Sequence, residues 1–197
     1  MGAVGLFARA SPAETTQKEP ELAYRGDPAV RATMNFRPVK WPLKFKEHSF
    51  GAFCYGTLTC TVWYAGQRHG RDKPRPSSST LGPAYLDYMS GDHGGIRNFP
   101  KAAKATWTSS DGEPHQAEID IASIFRDELI RHNVTRGEVA EQPDGGLPIN
   151  PSIILEVNDR AIRVYMRAFI PTKHLQVPGN TFSGHRQDLI LVKIYNY

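Results

Sequence analysis

Cysteine is scarce: Cys54 and Cys60 are the only two in 197 residues. Neither sits in a C-x-x-C pair, which argues against a zinc ribbon or a thioredoxin-type redox centre. The seven histidines (His48, His69, His93, His115, His132, His174 and His185) form no H-x-H pair and no helical H-E-x-x-H. There is no G-x-S-x-G elbow and no G-x-x-x-x-G-K-[ST] phosphate loop. No catalytic constellation, metal site or cofactor is therefore implied. No apolar run approaches the roughly 18 residues needed to span a bilayer. Charge of one sign is not concentrated either, since 24 Lys and Arg face 20 Asp and Glu, a net charge of +4. A nucleic-acid binder would group its cations beside stacking aromatics on one face. This mild excess suits solubility and an acidic protein partner instead.

What is abundant is turn-forming and strand-forming sequence. Seventeen glycines and fifteen prolines divide the chain into short segments, as in a β-rich domain. The strongest pattern runs from Ser152 to Lys173. Ile153, Leu155 and Val157 alternate with Ile154, Glu156 and Asn158, and the alternation restarts after Asn158-Asp159. Ile162, Val164, Met166, Ala168 and Ile170 then point one way, and Arg163, Tyr165, Arg167 and Phe169 the other. This predicts two long antiparallel strands with the turn at Val157–Arg160. A second hairpin is predicted over Lys104–Ile121, with Asp111-Gly112 suited to a type I′ turn at Ser110–Glu113. Ile121, Ile124, Phe125 and Leu129 follow at helical spacing, predicting a short amphipathic helix to about His132. Gln187–Tyr197 reads as a final strand.

Phe50–Tyr64 reads as one strand, with Phe50, Ala52, Cys54, Leu58, Cys60, Val62 and Tyr64 in unbroken alternation and Gly56 as a bulge. At ~3.3 Å per residue the two cysteines would then lie roughly 20 Å apart, too far to bridge. Only a turn at Gly56-Thr57 would bring them together. The expectation is two separate thiols. Ala65–Pro83, carrying Arg68, Arg71, Lys73 and Arg75 among Gly, Pro and Ser, reads as a basic exposed loop. Residues 1–35 read as a flexible lead-in and 36–197 as a single domain. The expected fold is mainly β: an antiparallel β-sandwich with one short amphipathic helix. Ala8-Arg9-Ala10 has the small-x-small form of a signal-peptidase site, though what precedes it is short and lacks a basic start. The expected location is periplasmic or secreted, the alternative cytoplasmic.

Three sets of candidate residues emerge. Arg163, Tyr165 and Arg167 line one face of the central hairpin, and Arg and Tyr are the residue types that anchor protein interfaces. Coverage of that row by another part of the chain is the competing reading. The basic loop, with Arg68, Arg71 and Arg75, is a second docking surface for an acidic protein. A carbohydrate-binding module would instead use Trp63, Trp107 or Tyr85 as stacking platforms. A small hydrolase would use Asp92 and His93 in the loop SGDHGG, although adjacent residues do not orient one another as a catalytic pair must.

The blocks FKEHSFGAFCYGTLTCTVWY (Phe45–Tyr64), NFPKAAKATWTSSDGEPHQAEIDIASIFRDELIRHNV (Asn98–Val134) and ILEVNDRAIRVYMRAFIPTK (Ile154–Lys173) resemble small bacterial proteins that accompany antibacterial type VI secretion effectors, including lipases, as immunity or accessory proteins. The blocks are structural and span a little under half the chain, so no site residue carries over. The resemblance implies a non-enzymatic binder that neutralises or escorts an effector protein outside the cytoplasm.

Overall fold

The computed structural model describes residues 28–143 and 149–197. The signal-like start and the lead-in up to residue 27 lie outside the described residues. The chain begins with α1 (Pro28–Thr33), β1 (Phe36–Arg37), β2 (Glu47–Tyr55), β3 (Thr57–Tyr64) and β4 (Gln67–Arg71). Two 3₁₀ turns, Ser78–Leu81 and Pro83–Tyr88, precede β5 (His93–Arg97), β6 (Ala103–Ser109), β7 (Pro114–Ile119) and α2 (Ile121–Ile124). Then come β8 (Gln142–Pro143), β9 (Ser152–Asn158), β10 (Ala161–Arg167), β11 (Ile170–Pro171), β12 (His185–Arg186) and β13 (Leu189–Asn196).

The protein is mainly β, with few helical residues. One sheet has the order β13-β10-β9-β2-β5 and another the order β4-β3-β6-β7; β1-β8 and β11-β12 are small pairs. All pairings are antiparallel except β2 with β9, which run parallel. The two larger sheets bury one common core. Phe50, Leu155, Val164 and Met166 enter it from the first, and Val62, Ala105, Trp107 and Ile119 from the second. The alternating apolar residues of the central hairpin account for this, since every second side chain of β9 and β10 faces that core.

The expected hairpins are present. Asn158 pairs with Ala161 around Asp159-Arg160, with Asp159 in the left-handed region at φ 52° that Asp tolerates. In the β6–β7 hairpin only Gly112 has positive φ (92°), and its N–H donates to Ser109 O. A type I′ turn needs positive φ at both central residues, so the connection is a type I turn with a glycine bulge.

Two expectations are overturned. The stretch Phe50–Tyr64 is not one strand. At Gly56 the backbone takes φ 57°, open to glycine at no steric cost, and the chain passes from the five-stranded to the four-stranded sheet. Cys54 and Cys60 then stand on either side of the corner with Cα atoms 6.3 Å apart, and they form a disulfide. Alternation misled because both strands face the same core, so buried Phe50, Cys54, Cys60, Val62 and Tyr64 keep even parity through the corner. Leu58, 40% exposed, is the one even position that betrays it. The helix is likewise shorter than its spacing suggests. Asp120 caps α2 by accepting the Ser123 N–H at 3.0 Å, but the helix ends at Ile124. Glu128 lies at φ 55°, and Leu129 and Ile130 turn to pair with Lys44 and Leu43. Phe125 and Ile130 are buried by an irregular chain, not by a helix face.

The disulfide closes a short loop, so the entropy it removes from the unfolded chain stabilises the fold by about 2 kcal/mol. Replacing both cysteines by serine should lower the urea midpoint by that amount with cooperative unfolding retained. Alkylation of the unfolded, unreduced chain should add no label. Two labels would show that the thiols are separate.

Candidate functional site

The basic segment after β3 is not a plain loop. Ala65 (φ 50°) and Gly66 (φ 79°) make a tight two-residue turn, and β4 pairs back on β3 with Tyr64 opposite Gln67 and Val62 opposite His69. That register carries the inward parity of Val62 across to His69, which is buried while Arg68 points outward. Arg68 is held by Asp72, with both carboxylate oxygens 2.7 Å from Nη2. Farther along, Arg75 and Thr57 exchange backbone hydrogen bonds of 2.8 and 3.2 Å, which fixes Arg75 beside the Gly56 corner. The side chains of Arg71 and Arg75 are exposed, and among the described residues neither has a carboxylate within ion-pair distance.

These arginines rim a cleft of about 410 Å³ between β2 and β4. Ala52 to Tyr55 form one wall, Gln67 to Arg71 the other, and Asp92 and His93 close one end. The basic segment and the SGDHGG loop, separate candidates in the sequence, thus meet in one place. Asp92 is not paired with its neighbour His93. Its Oδ1 lies 3.6 Å from Nδ1 of His69, and the His69 and His93 rings are 6.2 Å apart between centroids. His69 Nε2 and His93 Nδ1 are buried, with no hydrogen-bond partner among the described residues. Burial pushes the His69 pKa down; Asp92 opposes this, and His93 adds to it. Behind the cleft, His48 is fully buried, with Nδ1 2.9 Å from Asn98 Oδ1 and Nε2 3.0 Å from Tyr64 Oη. Burial lowers its pKa too. His69 is the site residue that reading by motif missed. Its signal was the strand parity across the Ala65-Gly66 turn.

Arg71 and Arg75 offer guanidinium groups at the rim of the cleft. Such a set suits an oxyanion more than a cation. Among the described residues no three His, Cys, Asp or Glu side chains converge to hold a metal ion, and no helix is long and apolar enough to cross a membrane.

The hairpin row is built differently from an open patch. The segment carrying the two 3₁₀ turns lies over the face of β9 and β10 opposite the core. Tyr165 is buried and donates to Glu156 Oε2 at 2.8 Å; Tyr85 donates to Oε1 at 3.1 Å and Asn158 Nδ2 to Oε1 at 2.8 Å. Arg163 Nη1 lies 3.5 Å from the same carboxylate, which is wholly buried. Arg167 donates to Leu86 O (2.9 Å) and Asp87 O (3.0 Å). Burial, and then Glu156, push the Tyr165 pKa well up, so the phenol stays a donor. Arg163, Tyr165 and Arg167 therefore hold a segment of their own chain, while Phe169 is exposed and stacked on His185. Trp63 is exposed on β3, whereas Trp107 is buried and donates to Asp159 O at 2.7 Å. Trp63, Trp107 and Tyr85 do not share one face.

Two outcomes follow from this geometry. Glu156→Ala removes the acceptor for two tyrosines and an asparagine and should cost about 3 kcal/mol in urea unfolding, with Glu156→Gln costing less. An unchanged midpoint would show that the buried carboxylate does not hold the covering segment. His48 and His69 resist protonation when folded but titrate near 6.5 when unfolded. Their contribution is complete above that pH and declines as pH falls from 6.5 toward the lower folded values. The melting temperature should fall over this window, and His48→Gln with His69→Gln should flatten the fall.

No protein family, curated protein or solved structure matches this chain.

Proposed function

We propose that this chain is a non-enzymatic protein-binding module, a mainly antiparallel β-sandwich with one parallel pairing, that acts outside the cytoplasm. It binds an acidic surface of a secreted effector at the cleft between β2 and β4 and so neutralises or escorts it. The observation that carries this reading is the pair of exposed arginines, Arg71 and Arg75, which have no carboxylate partner among the described residues and rim the cleft that His69 and His93 also line. Three further points support the reading. The Cys54–Cys60 bridge suits an oxidising compartment. Among the described residues the cleft lining contains no Ser or Thr, and Cys54 is tied up in the disulfide, so no Ser, Thr or free Cys faces Asp92 and His69. The three sequence blocks resemble immunity and accessory proteins of type VI effectors.

Calorimetric titration with a hexaglutamate peptide tests the charge requirement. Wild-type chain should bind it, more weakly as salt rises from about 0.05 to about 0.5 M. Arg71→Glu with Arg75→Glu should lower affinity about tenfold or more while the melting temperature stays within a few degrees. Equal affinity in the double variant would reject the cleft as the binding surface.

A further inference from the structure

The cleft wall on β2 is an unpaired strand edge. In the parallel ladder with β9, Ser49 N–H donates to Pro151 O and Tyr55 O accepts from Asp159 N–H, each at 3.0 Å. Odd-numbered residues therefore turn their backbone groups toward β9. Even-numbered residues turn theirs to the other edge. There β5 pairs with Glu47, His48 and Phe50 and begins only at His93. The segment before it crosses the sheet, with Ser90 O 2.1 Å from where a Cβ on Gly51 would stand, so only glycine admits the crossing. The N–H and C=O of Ala52 and Cys54 are left facing the cleft, with no strand opposite them among the described residues. Across the cleft, β4 is the outer strand of the four-stranded sheet.

We infer that the cleft takes an extended acidic segment of the partner protein, added as a strand to β2 at Ala52–Cys54 in the position that β5 leaves vacant. This deepens the proposed function and rests on it. Backbone hydrogen bonds to Ala52 and Cys54 supply affinity that does not depend on sequence, and charge supplies selectivity. In an added strand side chains alternate, so acidic residues at every second position present their carboxylates to Arg71 and Arg75 together. The other positions face the opposite side. A bare anion would satisfy the arginines and leave the edge of β2 unpaired. An acidic helix, whose backbone groups bond internally, would do the same.

The test uses the full-length oxidised chain and a capped hexapeptide of alternating Glu and Val, with alternating Lys and Val as control. Two further versions carry backbone N-methyl groups on either the three Glu or the three Val residues. N-methylation removes N–H donors from one edge of the strand and keeps every charge. The Glu/Val peptide should bind and the Lys/Val peptide should not. N-methylation of one set should lower affinity on the order of tenfold or more, and of the other set much less. If both methylated peptides bind as tightly as the parent, strand addition is wrong while the charge-based reading stands. If the Glu/Val peptide binds no better than the Lys/Val peptide, both readings fail.

Discussion

The corner at Gly56 is the constraint on which the rest depends. A single chain segment supplies a strand to each of the two larger sheets, and the only residue between those strands is Gly56. Its left-handed backbone redirects the chain, and the Cys54–Cys60 bridge clamps the two arms one residue before and three after the neighbouring positions Tyr55 and Thr57. The arms thereby diverge at a fixed angle, and their inward residues meet around one core. Arg75 is fastened to this corner through Thr57, and β4 is fastened to β3, so the cleft inherits its geometry from the bend. A left-handed glycine and the disulfide that spans it thus set the position of groups far apart in sequence.

The outer face of the central hairpin shows how a charge can be buried without loss of the fold. Glu156 is fully enclosed, a costly position for a carboxylate unless donors surround it. Tyr85, Tyr165 and Asn158 supply them, and Asn158 also reaches Ser78 at 2.7 Å. Because Ser78 and Tyr85 belong to the two 3₁₀ turns, the carboxylate becomes the anchor of the segment that covers this face. Arg167 secures the same segment by donating to its backbone carbonyls at the end of the second 3₁₀ turn, where Leu86 O also accepts from the Met89 N–H.

The hairpins were legible in the sequence because period-two alternation and Asp or Gly turns are local signals. Asp159 and Gly112 sit where the pattern places them, although the second turn is not of the expected type. The corner was illegible because parity is conserved when a chain changes sheets but not cores. The helix after Ile121 was over-read for a related reason: apolar residues at helical spacing can be buried by any path that returns them to the core. At the candidate site, Arg68, Arg71, Arg75, Asp92 and His93 stood out as types, but nothing local shows that two loops separated by about twenty residues share a cleft. His69 was within reach of reasoning, since the register of an Ala65-Gly66 hairpin assigns its side. The role of Arg163, Tyr165 and Arg167 was not, because whether a strand face meets solvent or its own chain depends on where a distant segment is laid down.

Exposed strand edges are usually defended, since they pair readily with any extended chain. Two devices serve that purpose here, and they act unequally. β4 carries Arg68 and Arg71 on its short outer strand, and Arg68 is neutralised locally by Asp72. The edge of β2 has no such charge of its own, because Ala52 and Cys54 are small and apolar. Its protection comes from across the cleft, where Arg71 and Arg75 impose a positive field on whatever approaches. A field of that kind repels basic and tolerates neutral segments poorly, since desolvated guanidinium groups would remain unpaired. In the proposed complex, an acidic strand would both neutralise the arginines and complete the backbone ladder. On the proposed reading, the arrangement that guards the edge against indiscriminate pairing also selects the class of chain that can occupy it.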